Sequence, residues 1–171
     1  MNKNIVLIGF MGTGKSSVGS RLAQRLKREF VDMDREIERV SNMTVAEIFR
    51  KHGEVRFRSE EQLMAKKLSQ RSNLVIATGG GVVLSSENVD HLKRNGILVC
   101  LDASPEDIFA RVSRKKGIRP LLKKGTTEED IRLMLEEREP YYRCADIRVN
   151  TSEKDVDAVV NDLLQQLKNI L

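Results

Sequence analysis

The sequence predicts an α/β protein built on a parallel sheet covered by helices on both faces. Three observations carry this. Short apolar runs recur at residues 5–8, 30–31, 74–77, 97–101 and, more weakly, 147–149. Helical patterns fill the intervals, and buried parallel strands read as such short continuous runs. The first strand-to-helix junction is glycine-rich: GFMGTGKS, residues 9–16.

That junction fits G-x-x-x-x-G-K-[ST], with Gly9, Gly14, Lys15 and Ser16 on the required positions. The strand reading of residues 5–8 before it and the amphipathic pattern at Val18, Leu22 and Leu26 after it supply the context the motif needs. Glycines let the backbone curl around a polyphosphate with several N–H groups pointing inward, and the helix N-terminus adds partial positive charge. Lys15 then reaches the β- and γ-phosphates, and the Ser16 hydroxyl faces Mg²⁺. The implied ligand is a nucleoside triphosphate.

The later elements follow in order. The second strand ends in FVDMD, which places Asp32 and Asp34 at a carboxyl edge where open parallel sheets bind ligands. In an extended chain both would share a face, one supporting Mg²⁺ and one facing a substrate hydroxyl; a pair of helix-initiating acids is the equal alternative. Residues 33–72 read as almost wholly helical, with Thr44 and Glu47 as a capping box over residues 45–51 and Gly53 as the stop. Arg56 and Arg58 begin the next helical stretch. Arginine matches a carboxylate with a planar fork, but an arginine paired with surface glutamates is the ordinary reading. Gly79, Gly80 and Gly81 follow the third strand, either for close approach to bare backbone or as a tight turn.

Ser86 precedes a helix that runs to Asn95 and is ended by Gly96. Residues 97–102 form an apolar strand ending in Asp102, the outline of a Walker B acid; Asp102 is expected instead to cap the turn before the Ser104-Pro105 helix. Residues 114–126, RKKGIRPLLKKGT, are basic and without periodicity, and suit a lid carrying Arg119. Thr127 caps a helix over residues 128–139, with Arg138 at its end. The last helix spans about residues 155–168.

The 171 residues suit one domain, and no linker or composition shift argues for a second. A formal charge of +5 suits a polyanionic ligand or a solvated surface. No basic–aromatic interleaving points to nucleic acid, and no apolar stretch is long enough to span a membrane. Cys100 and Cys144 have no metal spacing, and Cys100 sits in a core strand. The N-terminal apolar run is too short and too soon broken by Gly9 for a signal peptide, so a cytoplasmic location is expected.

Taken together, these motifs resemble the shikimate kinase family over nearly the whole chain. The order is GFMGTGKS, Asp32-x-Asp34, Phe57-Arg58, Gly79–Gly81, R-P-L-L from Arg119, and E-R-x-P-x-Y over residues 137–142. The resemblance implies ATP-dependent phosphorylation of the 3-hydroxyl of shikimate in aromatic amino-acid biosynthesis. It implies a three-layer α/β/α P-loop fold with a five-stranded parallel sheet in order 2-3-1-4-5. Residues 1–171 would form a single kinase domain, with a substrate-binding insertion at 33–61 and a lid at 112–126, acting as a monomer.

By the same resemblance, ATP would be held by Gly12, Thr13, Gly14, Lys15, Ser16, Ser17, Arg114, Arg119 and Lys154. Asp34, Arg58, Gly80 and Arg138 would hold shikimate. Lys15, Asp34 and Arg119 would act on the transferring group, and Ser16 with Asp32 would hold Mg²⁺. The chain departs from the family near its end, where Asn150-Thr151-Ser152-Glu153-Lys154-Asp155 lacks the usual Asp-Thr and proline. Lys154 and Asp155 are stand-ins for the adenine contacts. The rival readings are a gluconate or nucleoside monophosphate kinase on the same scaffold, and a nucleotide-dependent switch without kinase activity.

Overall fold

The computed structural model describes residues 2–114 and 125–171. Five parallel strands, β1 (Asn4–Ile8), β2 (Glu29–Asp32), β3 (Leu74–Ala77), β4 (Gly96–Asp102) and β5 (Ile147–Asn150), form one sheet in order 2-3-1-4-5. The helices are α1 (Lys15–Leu26), α2 (Met33–Ser41), α3 (Val45–Ser69), α4 (Ser86–Arg94), α5 (Pro105–Ser113), α6 (Glu128–Tyr142) and α7 (Val156–Leu167). The expected sheet order is therefore found.

Strand alternation divides the core into two layers. Ile5 and Leu7 of β1 face Leu22 of α1 and Leu163 of α7. Val6 and Ile8 face the other way, toward Ile37, Met64, Leu92, Ile108 and Ile131 of α2 to α6. Every residue of β1 is buried, because it lies between β3 and β4 with helices on both faces. Cys100 is likewise fully buried, and burial pushes its thiol up to about 12, which makes it an inert core residue.

The order of strands reverses at β1, whose neighbours are β3 and β4. The glycine-rich loop leaves the carboxyl end of β1 at that switch point, where open α/β sheets leave a crevice.

Local chemistry accounts for several shifts from the expected boundaries. α1 starts at Lys15 rather than at residue 17, because Gly14 occupies the N-cap with φ 96. Ser85, not Ser86, caps α4 by accepting from the Asn88 N–H. Gly53 kinks α3 with φ 84 and ψ 176, and the helix resumes at once. α6 continues through Pro140 to Tyr142, since burial of Tyr142 outweighs the lost N–H.

Candidate active site

The glycine loop is held by its own backbone and, at Gly9 and Gly12, by neighbours that leave little room for a side chain. Gly9, Gly12 and Gly14 have φ of 146, 79 and 96. A Cβ on Gly9 would lie 2.6 Å from the Leu101 carbonyl oxygen, so backbone meets backbone there. Thr13 turns inward and donates to the Phe10 carbonyl at 2.8 Å. Lys15 is buried, and its Nζ donates to the carbonyls of Gly9 at 2.7 Å and Phe10 at 2.9 Å. A cation is thus fixed inside the loop's curve. Ser16 and Ser17 stand exposed on the first turn of α1.

Asp32 and Asp34 part company. Asp32 ends β2, caps α2 by accepting from the Arg35 N–H, and accepts a 2.7 Å hydrogen bond from Ser16 Oγ. The helix-cap reading and the link to the loop hold at the same time. Asp34 is already in the first turn of α2, so the extended-chain argument for a shared face does not apply. Its carboxylate instead approaches Gly79, where a Cβ would lie 2.9 Å from Asp34 Oδ1.

The three glycines form the floor between the loop and the arginines. A Cβ on Gly80 would come within 3.3 Å of the Met11 N, and one on Gly81 within 2.5 Å of Arg58 Nη2. Both readings of this run apply: Gly79 O accepts from the Val82 N–H in a turn, and the bare backbone admits close neighbours. Arg138 Nη1 donates to the Gly80 carbonyl at 2.9 Å, and the Tyr142 hydroxyl donates to the same oxygen at 3.3 Å. Burial pushes Tyr142 up to about 12, so it remains a donor.

Arg58 packs over the Phe57 ring and donates to Glu61 at 2.9 Å and Glu54 at 3.4 Å. Arg56 only pairs with Glu60 on the surface, so the ordinary reading holds for it. Glu61 is one residue that sequence reasoning missed. It is 1% exposed, and its Oε2 is buried without a hydrogen-bond partner. Burial pushes its carboxyl above the usual range, Arg58 pulls it back, and Asp34 pushes it up again. Arg138 lowers it through space as well, so both arginines and Asp34 act electrostatically on one buried acid. A glutamate three residues after an arginine in a helix is the only signal the sequence offered, and it is a common one.

Arg111 was also missed. It donates to the Gly12 carbonyl at 3.0 Å, and to Thr151 Oγ1 and O at 3.2 Å each, joining the loop to the end of β5. Arg114, one turn further on, is exposed at the C-cap of α5. Lys154 pairs with Asp162 at 2.8 Å, and Asp155 caps α7. Among the described residues neither Arg114 nor Lys154 bonds to the loop itself. Arg119 lies outside the described residues.

Asp102 does not cap the turn before α5, contrary to expectation. Ser104 does so, accepting from the Asp107 N–H, while Arg148 grips both carboxylate oxygens of Asp102 at 2.7 and 3.0 Å. Among the described residues no helix is long and apolar enough to cross a membrane.

Comparison with known proteins gives one consistent result. The family model described as shikimate kinase matches residues 11–168. A shikimate kinase of Pelotomaculum thermopropionicum is 55% identical, covering 97% of this chain and 96% of its own. The solved shikimate kinase of Acinetobacter baumannii in complex with shikimate has a TM-score of 0.93 at 39% identity, covering 99% of this chain and 94% of its own. That of Aquifex aeolicus has a TM-score of 0.85 at 38% identity, covering 98% of each chain. The chain belongs to the shikimate kinase family.

Proposed function

We propose that this chain transfers the γ-phosphoryl group of ATP to the 3-hydroxyl of shikimate, giving shikimate 3-phosphate and ADP for aromatic amino-acid biosynthesis. The observation that carries this is the juxtaposition, across Gly80, of a phosphate loop with a carboxylate-binding set. The bare Gly80 backbone packs against Met11 of the loop, and its carbonyl receives Arg138.

Each residue then has a task. The loop N–H groups from Gly12 to Ser17 cradle the phosphates, and Lys15 exchanges its carbonyl partners for phosphate oxygens. Arg58 and Arg138 take the acceptor carboxylate with charge-assisted bonds. Asp34 accepts the acceptor's hydroxyl proton as the new P–O bond forms and the bond to ADP breaks. Glu61 holds Arg58 in place from beneath. Arg119, from the proposed lid at 112–126, neutralises charge on the moving group. On the nucleotide's base side, Arg111 and Thr151 frame the loop more directly than Arg114 or Lys154.

Ser16 and Asp32 fit a Mg²⁺ site. They present a hydroxyl and a carboxylate 2.7 Å apart beside the loop, and Mg²⁺ keeps several waters and needs few protein oxygens. When bound there, the ion would supply charge neutralisation on the polyphosphate.

A coupled ADP-release assay across shikimate, gluconate and AMP tests the reading. Turnover is expected with shikimate, with the product phosphorylated at its 3-hydroxyl. Equal turnover with gluconate or AMP overturns the acceptor assignment.

A further inference from the structure

Outside the site, three charged side chains meet in an arrangement that the reaction as described does not use. Arg148 of β5 donates to Asp102 through Nε at 3.0 Å and Nη2 at 2.7 Å. Through Nη1 at 2.6 Å and Nη2 at 3.1 Å it also donates to Glu139 of α6. One guanidinium therefore forks onto two carboxylates, each engaged through both oxygens. Such planar double forks fix orientation in a way a single ion pair does not.

The elements joined are informative. Asp102 and Arg148 lie at the carboxyl end of the sheet, on β4 and the edge strand β5, whose register pairs Arg148 with Cys100 and Asp102 with Asn150. Glu139 is the immediate chain neighbour of Arg138, which reaches Gly80. Ile131 and Tyr142 of α6 are buried and Met134 and Leu135 pack partly against the core, so apolar packing holds one face of this helix while Glu139 and Pro140 stay exposed. Pro140 removes one intrahelical hydrogen bond next to Arg138 and Glu139, and no basic side chain occupies the last turn. The stretch that carries Arg138 thus runs between two buried residues, lacks one backbone bond at Pro140, and is oriented at Glu139 by a fork from the sheet.

We infer that Arg148 is a positioning residue for the acceptor site: with Asp102 it clamps Glu139, and through it sets the approach of Arg138 to the acceptor carboxylate. The three side chains are each partly exposed, at 35%, 39% and 48%, so the pairs contribute little to global stability. Their effect is expected in geometry, where a shift of an ångström in a charge-assisted contact is costly. The inference rests on Arg138 serving the acceptor, as proposed above.

The test is a steady-state comparison of the wild type with Arg148→Met, Arg148→Lys and Glu139→Gln, each alone and with Arg138→Ala. Arg148→Met is expected to raise the shikimate KM about fivefold or more while the ATP KM stays within about twofold. Glu139→Gln, a milder change that keeps the shape of the side chain, is expected to move the same parameter in the same direction. Lysine has a point charge without the fork, so Arg148→Lys is expected to restore only part of the loss. In the Arg138→Ala background, Arg148→Met is expected to add nothing to the shikimate KM, because the residue through which it acts is gone. Full additivity there, or a parallel rise in both KM values, overturns the clamp while leaving the acceptor assignment intact. An Arg138→Ala variant with unchanged shikimate KM overturns both.

Discussion

The phosphate loop and the acceptor side are held by different means. In the loop, Thr13 and Lys15 bond to carbonyls three to six residues away, and backbone dihedrals that favour glycine do the rest. The acceptor side draws Asp34 from α2, Arg58 and Glu61 from α3, the glycines from the β3 exit and Arg138 from α6. It is built from side chains whose charges balance around a buried glutamate. A site made of local backbone tolerates little change to the chain but keeps its form without partners. A site made of distant side chains can lose one contact while the fold survives.

Lys15→Met gives the largest expected effect. It removes a point charge from a loop of backbone donors, so turnover should fall by about a hundredfold or more with the fold intact. Near-normal turnover in a folded variant would remove Lys15 from the reaction.

Two glycine substitutions sharpen the contrast. Gly9→Ala forces a Cβ against the Leu101 carbonyl at an unfavourable φ, and should cost about 1–3 kcal/mol of stability, read by denaturant unfolding. Gly81→Ala meets the tip of Arg58, the far end of a long side chain rather than backbone. Its stability should stay within about 1 kcal/mol of wild type, while the shikimate KM rises about tenfold. If Gly81→Ala proves the less stable of the two, the division between backbone and side-chain regions is wrong.

Asp32→Asn tests the junction of the two regions. It keeps a cap oxygen for α2 but weakens the partner of Ser16. The Mg²⁺ concentration for half-maximal rate should rise several-fold, about 1 kcal/mol in effect, with helix stability nearly unchanged. Asp102→Asn should leave that concentration unmoved, because Arg148 occupies its carboxylate.

The smallest effect concerns pH. Burial raises the Glu61 carboxyl above its ordinary value of 4.5, so the folded state binds its proton more tightly than the unfolded chain does. The contribution of Glu61 to stability is therefore complete below about 4.5 and is lost as pH climbs through the raised value. The melting temperature of the wild type relative to Glu61→Gln should fall as pH rises across that window. A rise would mean that the ion pair with Arg58 outweighs burial.

These differences also explain what could be read from the chain. The loop was legible because its chemistry is contiguous: eight residues, a strand before and a helix after. The sheet order came from resemblance, since apolar runs identify strands without saying which are neighbours. Asp34, Arg58, Gly80 and Arg138 were named by the motif order, yet their convergence depends on tertiary contacts that spacing does not encode. Glu61 escaped because a helical Arg-x-x-Glu is ordinary on any surface, and only its burial beside Gly79 distinguishes it. Arg111 escaped because three arginines follow one another through residues 111–119, and helical phase decides which of the described ones meets the loop. Asp102 was misassigned because its partner, Arg148, lies on the neighbouring strand.

The most direct test of the division between donor and acceptor regions is calorimetric titration of Arg58→Ala with shikimate and, separately, with a non-hydrolysable ATP analogue. A charge-assisted pair to a carboxylate contributes roughly 1.5–3 kcal/mol, so shikimate affinity should drop by about ten- to a hundredfold. Affinity for the analogue should match that of the wild type. Equal losses for both ligands, or an unchanged affinity for shikimate, would contradict the account.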